Sequence, residues 1–227
     1  MSRFLIAFSF VASLASSAGA DRISPTAHFA QPPPSVVSEA QLRIAPPRNP
    51  VTRDAVRAKL AANRAANLAR FRAYQRGGVF PSNTYTDSKL NVWQDENGHF
   101  CAAATIIRMS GQTALVDKVA EQTNFIRLAD VTQGPLMDWI LTSGLTQDEI
   151  AAIQEPMMPV GRNPIYQPEP GEPVYVDADM RAAENQRLIK KYKQVDRMLV
   201  KNQRASLERA VDRLMAHPEL ASQLVRG

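Results

Sequence analysis

Two proline-rich stretches, residues 21–50 and 157–174, set the first limit on what this chain can fold into. The first includes a run of three prolines that begins at Pro32, and proline favours extended backbone that buries little apolar surface. We therefore expect residues 21–50 to be a disordered tether and residues 157–174 to be a linker. The simplest organisation for the remainder is one compact domain with helical appendages.

The first twenty residues have the organisation of a secretory signal peptide. Arg3 precedes an apolar run over residues 4–14, and the small residues 18–20 form a cleavage pattern that ends at Ala20. No later stretch reaches the roughly 18 consecutive apolar residues that a transmembrane helix needs. The sequence therefore predicts a periplasmic or secreted protein whose mature chain has no transmembrane segment.

Charge is distributed unevenly along the chain. Residues 51–78 contain seven lysines and arginines against one acid, residues 79–156 contain four against ten, and residues 175–227 contain eleven against seven. An acidic core between two basic segments can neutralise them within the molecule, and we favour this interpretation because basic patches are common on solvated surfaces. The alternative is an anionic partner. Nucleic acid is not expected, since a secreted protein seldom meets it.

Residues 51–78 predict a basic helix. Thr52 is a suitable N-cap, Asp54 suits the positive end of the helix dipole, and the helix should end near Arg76 because Gly77 and Gly78 follow.

Residues 79–156 predict an acidic, α-rich core with one β-hairpin. Alternating apolar residues flank the turn signal Asn97-Gly98, so that Leu90, Val92 and Phe100 should face inward. Short helices are indicated over residues 102–109, 113–122, 134–142 and 146–153, and a strand or loop over residues 124–131. The expected fold class is mainly α with a minor β component.

Residues 175–227 predict a long basic amphipathic helix from Asp177 to about Ala216, followed by a terminal helical turn or two. Polar residues at Asn202 and Gln203 interrupt its apolar stripe. We therefore favour packing along the domain, or a short helical hairpin, over a sustained coiled coil.

Cys101 is the one candidate nucleophile, since the sequence has a single cysteine. It lies where a strand is expected to meet a helix, and a helix N-terminus can lower a thiol pKa. The candidate bases are weak: His99 is only two residues away, His217 adjoins a proline, and His28 lies in the tether. We favour Cys101 as a small packed hydrophobe, although two chains could also pair through it.

Other candidate sites are less specific. Asp95, Glu96, His99 and Cys101 could be assembled into a metal site, but no metal-binding or cofactor-binding motif is present. Asp117 and Glu121 lie one helical turn apart and could serve acid-base chemistry, although such a pair is more typical of an exposed helix face. Aromatic side chains could line a groove, although Trp139 is better interpreted as core; this aromatic set comprises Trp93, Trp139, Phe100, Phe125 and Tyr85.

The favoured expectation is an extracytoplasmic, non-catalytic binding or scaffolding protein without a cofactor or metal. Its partner would be an acidic protein or an anionic envelope polymer, and a homodimer is possible. The alternative is a cysteine-dependent hydrolase that uses Cys101 with His99 or His217. The expected partner-binding residues are Arg57, Arg64, Arg70, Lys190, Lys191, Lys193 and Arg197.

Overall fold

A computed structural model describes residues 51–161 and 175–227. The expected signal peptide, the tether over residues 21–50 with His28, and residues 162–174 of the linker lie outside this range. Within it the fold is mainly α-helical, as predicted, and contains no strand. None of its helices combines the length and apolar character needed to cross a bilayer.

The described part of the chain contains eight α-helices and one 3-10 helix. The α-helices are α1 (Arg53–Gly77), α2 (Ala102–Met109), α3 (Thr113–Thr123), α4 (Pro135–Thr142), α5 (Gln147–Ile153), α6 (Ala178–Lys201), α7 (Gln203–Met215) and α8 (Pro218–Arg226). The 3-10 helix spans Leu128–Asp130, within the segment expected to be a strand or loop.

Helix α1 is the centre of the domain, because α2, α6, α7 and α8 all pack against it. Its ends are those predicted: the Thr52 hydroxyl accepts a hydrogen bond from the Ala55 amide at 3.2 Å, and Gly78 ends the helix with a φ of 65°. Phe71 and Tyr74 on α1 contact the ring of Tyr192 on α6, with centroids 5.6 and 5.7 Å apart. These contacts attach α6 to the core.

The long C-terminal helix is divided into α6 and α7. The division lies at Asn202, whose φ of −94° and ψ of 4° depart from helical values. The sequence prediction of one helix to Ala216 is therefore wrong at this point, although the interrupted apolar stripe indicated the position. The break allows α7 to pack along α1, α4 and α8 while α6 contacts α1 and α5.

The predicted β-hairpin is not confirmed. Gln94 and Phe100 form only an isolated antiparallel bridge. Val92 and Trp93 are neighbours and are both buried, so the inward and outward alternation of a strand is absent here. The Asp95 carboxylate fills the turn by accepting hydrogen bonds from the backbone amides of Asn97 and His99 at 3.0 and 2.8 Å.

The first residues of the expected linker belong to the packed domain. Met157 exchanges two backbone hydrogen bonds with Leu90, at 3.0 and 2.8 Å, and the Val160 amide donates to the Asn83 carbonyl at 3.0 Å. Met157 and Val160 are fully buried. The expectation of an extended linker from residue 157 is therefore corrected for residues 157–161.

Candidate functional site

Arg64 and Glu149 form an ion pair inside the domain. The two guanidinium nitrogens donate to the two carboxylate oxygens at 2.7 and 2.8 Å, and the side chains are 1% and 4% exposed. Arg64 also donates to the carbonyls of Gly144 and Leu199, at 3.1 and 2.9 Å. The expectation that Arg64 contacts a partner is therefore wrong, because its charge is used inside the molecule.

Glu149 is held from a second side by the start of α5. The Thr146 amide donates to its carboxylate at 2.9 Å, and the Glu149 amide donates to the Thr146 hydroxyl at 3.3 Å, which completes the predicted capping box. Burial raises the pKa of Glu149, but the hydrogen bonds from Arg64 and Thr146 outweigh burial and leave the pKa below its ordinary value.

The basic residues at the start of α1 pair mostly with α7. Arg57 donates to the Glu208 carboxylate at 2.8 and 3.0 Å, and Arg53 reaches Asp212 at 2.6 Å. The guanidinium of Arg57 is thus already occupied by a carboxylate. Neutralisation within the molecule is observed here, but the acids belong to the basic C-terminal segment and not to the acidic core.

Some charged residues of helix α6 form ion pairs within the chain. Arg187 contacts Glu155 and Glu184 at 2.5 and 2.7 Å, and Lys191 lies 3.4 Å from Glu155. Asp196 accepts a hydrogen bond from Arg72 of α1 at 2.9 Å. Lys191, expected to contact a partner, therefore has a carboxylate neighbour in its own chain.

The other expected basic residues of α6 face solvent. Lys190, Lys193 and Arg197 are exposed, and over residues 51–161 and 175–227 none of them has an ion-pair partner. Lys201 continues the same three-and-four spacing and is also exposed, although it is not among the residues expected to contact a partner. We call these four residues the basic face of α6.

The basic face of α6 lies opposite the buried side of the helix. The buried side is formed by Leu188, Tyr192, Val195 and Leu199, at four-three-four spacing. A residue two positions after each of the first three is rotated by about 200° from it, which places Lys190 and Arg197 on the far side. Packing of the core therefore fixes the direction in which this charge is presented.

Arg70 is placed apart from these pairs. Its guanidinium donates to the Asn67 side-chain oxygen at 2.6 Å and lines a cavity of about 320 Å³ between α1, α4 and α8. The predicted set of seven basic residues is therefore not one surface. It divides into buried or paired groups, the exposed face of α6, and this cavity.

Cys101 is packed as the favoured interpretation predicted. It is 1% exposed and caps α2, where its sulfur accepts a hydrogen bond from the Ala104 amide at 3.4 Å. Burial raises the pKa of its thiol from 9.0 to about 11, so little thiolate forms at neutral pH. These properties argue against a nucleophile and against pairing of two folded chains through this residue.

In the described residues neither His99 nor His217 forms a hydrogen bond with Cys101. The Nδ1 atom of His99 lies 3.2 Å from a carboxylate oxygen of Asp95, so this histidine contacts the turn that precedes Cys101. His217 is exposed and precedes α8, where its backbone amide donates to Leu214.

We expect iodoacetamide at pH 8 to label Cys101 of the folded protein at least about 100-fold more slowly than in urea. The rise in thiol pKa alone, from 9.0 to about 11, lowers the thiolate fraction by about that factor, and burial adds to it. Mass spectrometry of timed samples measures both rates, with Cys101→Ser as the unlabelled control. Comparable labelling rates in the two states would restore the hydrolase hypothesis.

The remaining candidates also have structural roles. In the described part of the chain no group of three or more histidine, cysteine or acidic residues could hold a metal ion. Asp117 is paired with Arg108 at 2.5 Å. Trp93 is fully buried and Trp139 is 9% exposed, so the predicted core position of Trp139 is confirmed and the aromatic set does not line one groove.

Comparisons with known proteins give no relative from which a role could be transferred. No family model, curated protein or solved structure matches this chain.

Proposed function

We propose that this protein is an extracytoplasmic, non-catalytic binding or scaffolding protein that holds an anionic partner on the basic face of α6. The observation that supports the proposal is the separation of charge on α6. The basic residues on the side of α6 near the core are paired with carboxylates. The residues of the basic face have no ion-pair partner in residues 51–161 and 175–227.

The basic face is presented on a rigid support. Lys190 and Lys201 are eleven residues apart, which corresponds to about 16 Å along a helix. Tyr192 and Leu199, on the buried side, are fully enclosed by the core. Because the helix cannot rotate without exposing these side chains, a partner would meet a fixed row of positive charges. The helix backbone is ordered before a partner binds, so only the rotamer freedom of the exposed lysine and arginine side chains is lost on binding.

An acidic protein surface is favoured over a purely polyanionic polymer. Ile189 and Val200, on the same helix, are 39% and 48% exposed. In helical projection both lie beside the basic face, about 80 to 100° from Lys190. A partner that carries both carboxylates and apolar groups would use the charged row and these neighbouring aliphatic side chains.

Charge reversal tests whether attraction is localised on α6. Fluorescein-labelled poly-L-glutamate serves as the anionic probe, and fluorescence anisotropy measures its binding. We expect Lys190→Glu/Lys193→Glu to weaken binding at least about tenfold, because it places carboxylates within the row that holds the probe. Raising the salt concentration should weaken binding to the wild type, since exposed charges are screened.

The matched control is Lys59→Glu/Lys118→Glu. Both of these lysines are exposed, lie on other helices and have no ion-pair partner in the described residues, and the control produces the same change in net charge. It should leave binding within about threefold of the wild type. Equal losses in the two variants, or binding that does not depend on salt, would contradict the proposal.

A second comparison distinguishes the two classes of partner. An acidic peptide that alternates glutamate with leucine should bind more tightly than poly-L-glutamate of equal charge, and Val200→Ser should remove that advantage. If dextran sulfate binds as tightly as the acidic peptide, the preference for an acidic protein surface is contradicted.

A further inference from the structure

A cavity of about 320 Å³ lies between α1, α4, α8 and the turn that follows α2. Its volume is near the lower end of the range for small-molecule sites, which is roughly 300 to 1,000 Å³. Arg70 is the one charged residue among those that line it. The rest of the lining combines amide and hydroxyl groups with an indole ring and two leucines.

Arg70 differs from the other arginines that are wholly or partly buried in the described residues. Arg57, Arg64, Arg108 and Arg187 each contact a carboxylate. Arg181, also partly buried, donates to a hydroxyl and to backbone carbonyls. For Arg70 the structure records a single acceptor, the neutral side-chain oxygen of Asn67. Since a guanidinium has five donor hydrogens, most of its capacity remains for a ligand.

The orientation of Arg70 is fixed by a buried neighbour. Asn67 is 2% exposed, and its amide nitrogen donates to the Ser143 carbonyl at 2.9 Å. That bond directs the Asn67 oxygen toward Arg70, which it meets at 2.6 Å. The guanidinium is therefore positioned on α1 by a contact with the end of α4.

Apolar surface lies in the same cavity. The Trp139 indole nitrogen donates to the Ser110 hydroxyl at 2.9 Å, which fixes the plane of the ring. Leu220 and Leu224 of α8 are spaced by four residues, so they lie on one face of that helix and both line the cavity. A ligand held by Arg70 would thus find an aromatic and aliphatic wall beside the charge.

We propose that this cavity binds a small organic carboxylate with an apolar or aromatic body. The two carboxylate oxygens would accept hydrogen bonds from Arg70, and the body would pack against Trp139, Leu220 and Leu224. A planar guanidinium matches a carboxylate in a two-bond geometry. This site is separate from the basic face of α6 and would bind its ligand whether or not that face has a partner.

The test uses the indole N–H signal of Trp139 in the nitrogen-15-labelled protein, with benzoate as the probe. Benzamide has nearly the same shape without the charge, so it is the neutral control. We expect benzoate to shift the signal in a saturable way and benzamide to bind at least about tenfold more weakly, because a charge-assisted hydrogen bond is lost.

Two test variants and one control locate the effect. Arg70→Gln removes the charge and should weaken benzoate binding at least about tenfold. Arg76→Gln changes an exposed arginine of the same helix and should leave the affinity unchanged. Leu224→Ser keeps Arg70 and should also weaken benzoate, since it removes part of the apolar wall. Thermal unfolding of each variant checks that the fold is retained.

Several outcomes would overturn the inference. These are no saturable shift with benzoate, equal binding of benzoate and benzamide, and equal benzoate affinity in Arg70→Gln and the wild type. Inorganic phosphate that displaces benzoate with similar affinity would show an anion site with no need for an apolar body, which also contradicts the proposed ligand class.

Discussion

Replacing Glu149 with glutamine is expected to lower the free energy of unfolding by about 3 to 5 kcal/mol, because it leaves Arg64 as an uncompensated buried charge. Both side chains are almost wholly enclosed, at 1% and 4% exposure, so solvent cannot stabilise the remaining guanidinium. The glutamine keeps the size of the side chain, and its amide oxygen can still meet Thr146. Urea unfolding followed by circular dichroism measures the loss.

The matched control is Asp196→Asn, which breaks the pair between α6 and Arg72. That pair is nearer the surface, with side chains 26% and 45% exposed. Pairs of this kind contribute about 1 kcal/mol or less. Equal losses in the two variants would contradict the assignment of the Arg64 and Glu149 pair as the dominant ionic contact of the described core.

The pair of Arg64 and Glu149 also predicts that the free energy of unfolding falls at low pH. The folded-state pKa of Glu149 lies below its ordinary value of 4.5, so its stabilising contribution is present above pH 4.5 and is lost as the pH falls through the lower folded-state value. The stability difference between the wild type and Glu149→Gln should therefore be constant near neutral pH and narrow below about pH 4.5. A difference that stays constant down to pH 3 would contradict this assignment.

Local signals in the sequence were sufficient to predict both ends of α1 and the start of α5. Thr52 and Gly78 delimit α1, and the capping box at Thr146 starts α5, because each cap is formed by groups within a few residues of one another. The hairpin was mispredicted for the opposite reason. Leu90 bonds to Met157, a residue 67 positions further along the chain, and no local pattern predicts that pairing.

The candidate site shows the same limit. Lys190, Lys193 and Arg197 were expected from the sequence to bind a partner, and the structure places them on one exposed face of α6 with Lys201 at the same spacing. Spacing does not distinguish the buried Arg64 from the exposed arginines of α1. Its partner Glu149 is 85 residues away, and only the packed fold brings the two together.

Replacing Gly144 with alanine is expected to destabilise the protein by about 4 kcal/mol or more, because a side chain there would meet backbone and not a flexible group. A Cβ atom at this position would lie 2.0 Å from the Leu60 carbonyl oxygen and 2.8 Å from the Arg64 amide nitrogen. Gly144 also has a φ of +76°, which a side chain disfavours. To relieve the overlap, α1 would have to separate from the turn between α4 and α5, and the bond from Arg64 to the Gly144 carbonyl would be lost.

The control for this close approach is Gly78→Ala. Gly78 has a similar φ of +65°, but a Cβ atom there would meet nothing within 4 Å. This variant carries only the cost of the left-handed backbone, about 1 kcal/mol. Comparing the two variants by urea unfolding separates the backbone conformation from the helix contact. If the free energy of unfolding falls by about 1 kcal/mol in both variants, α1 and the turn between α4 and α5 are not in tight contact. That result would also contradict the described environment of Arg64.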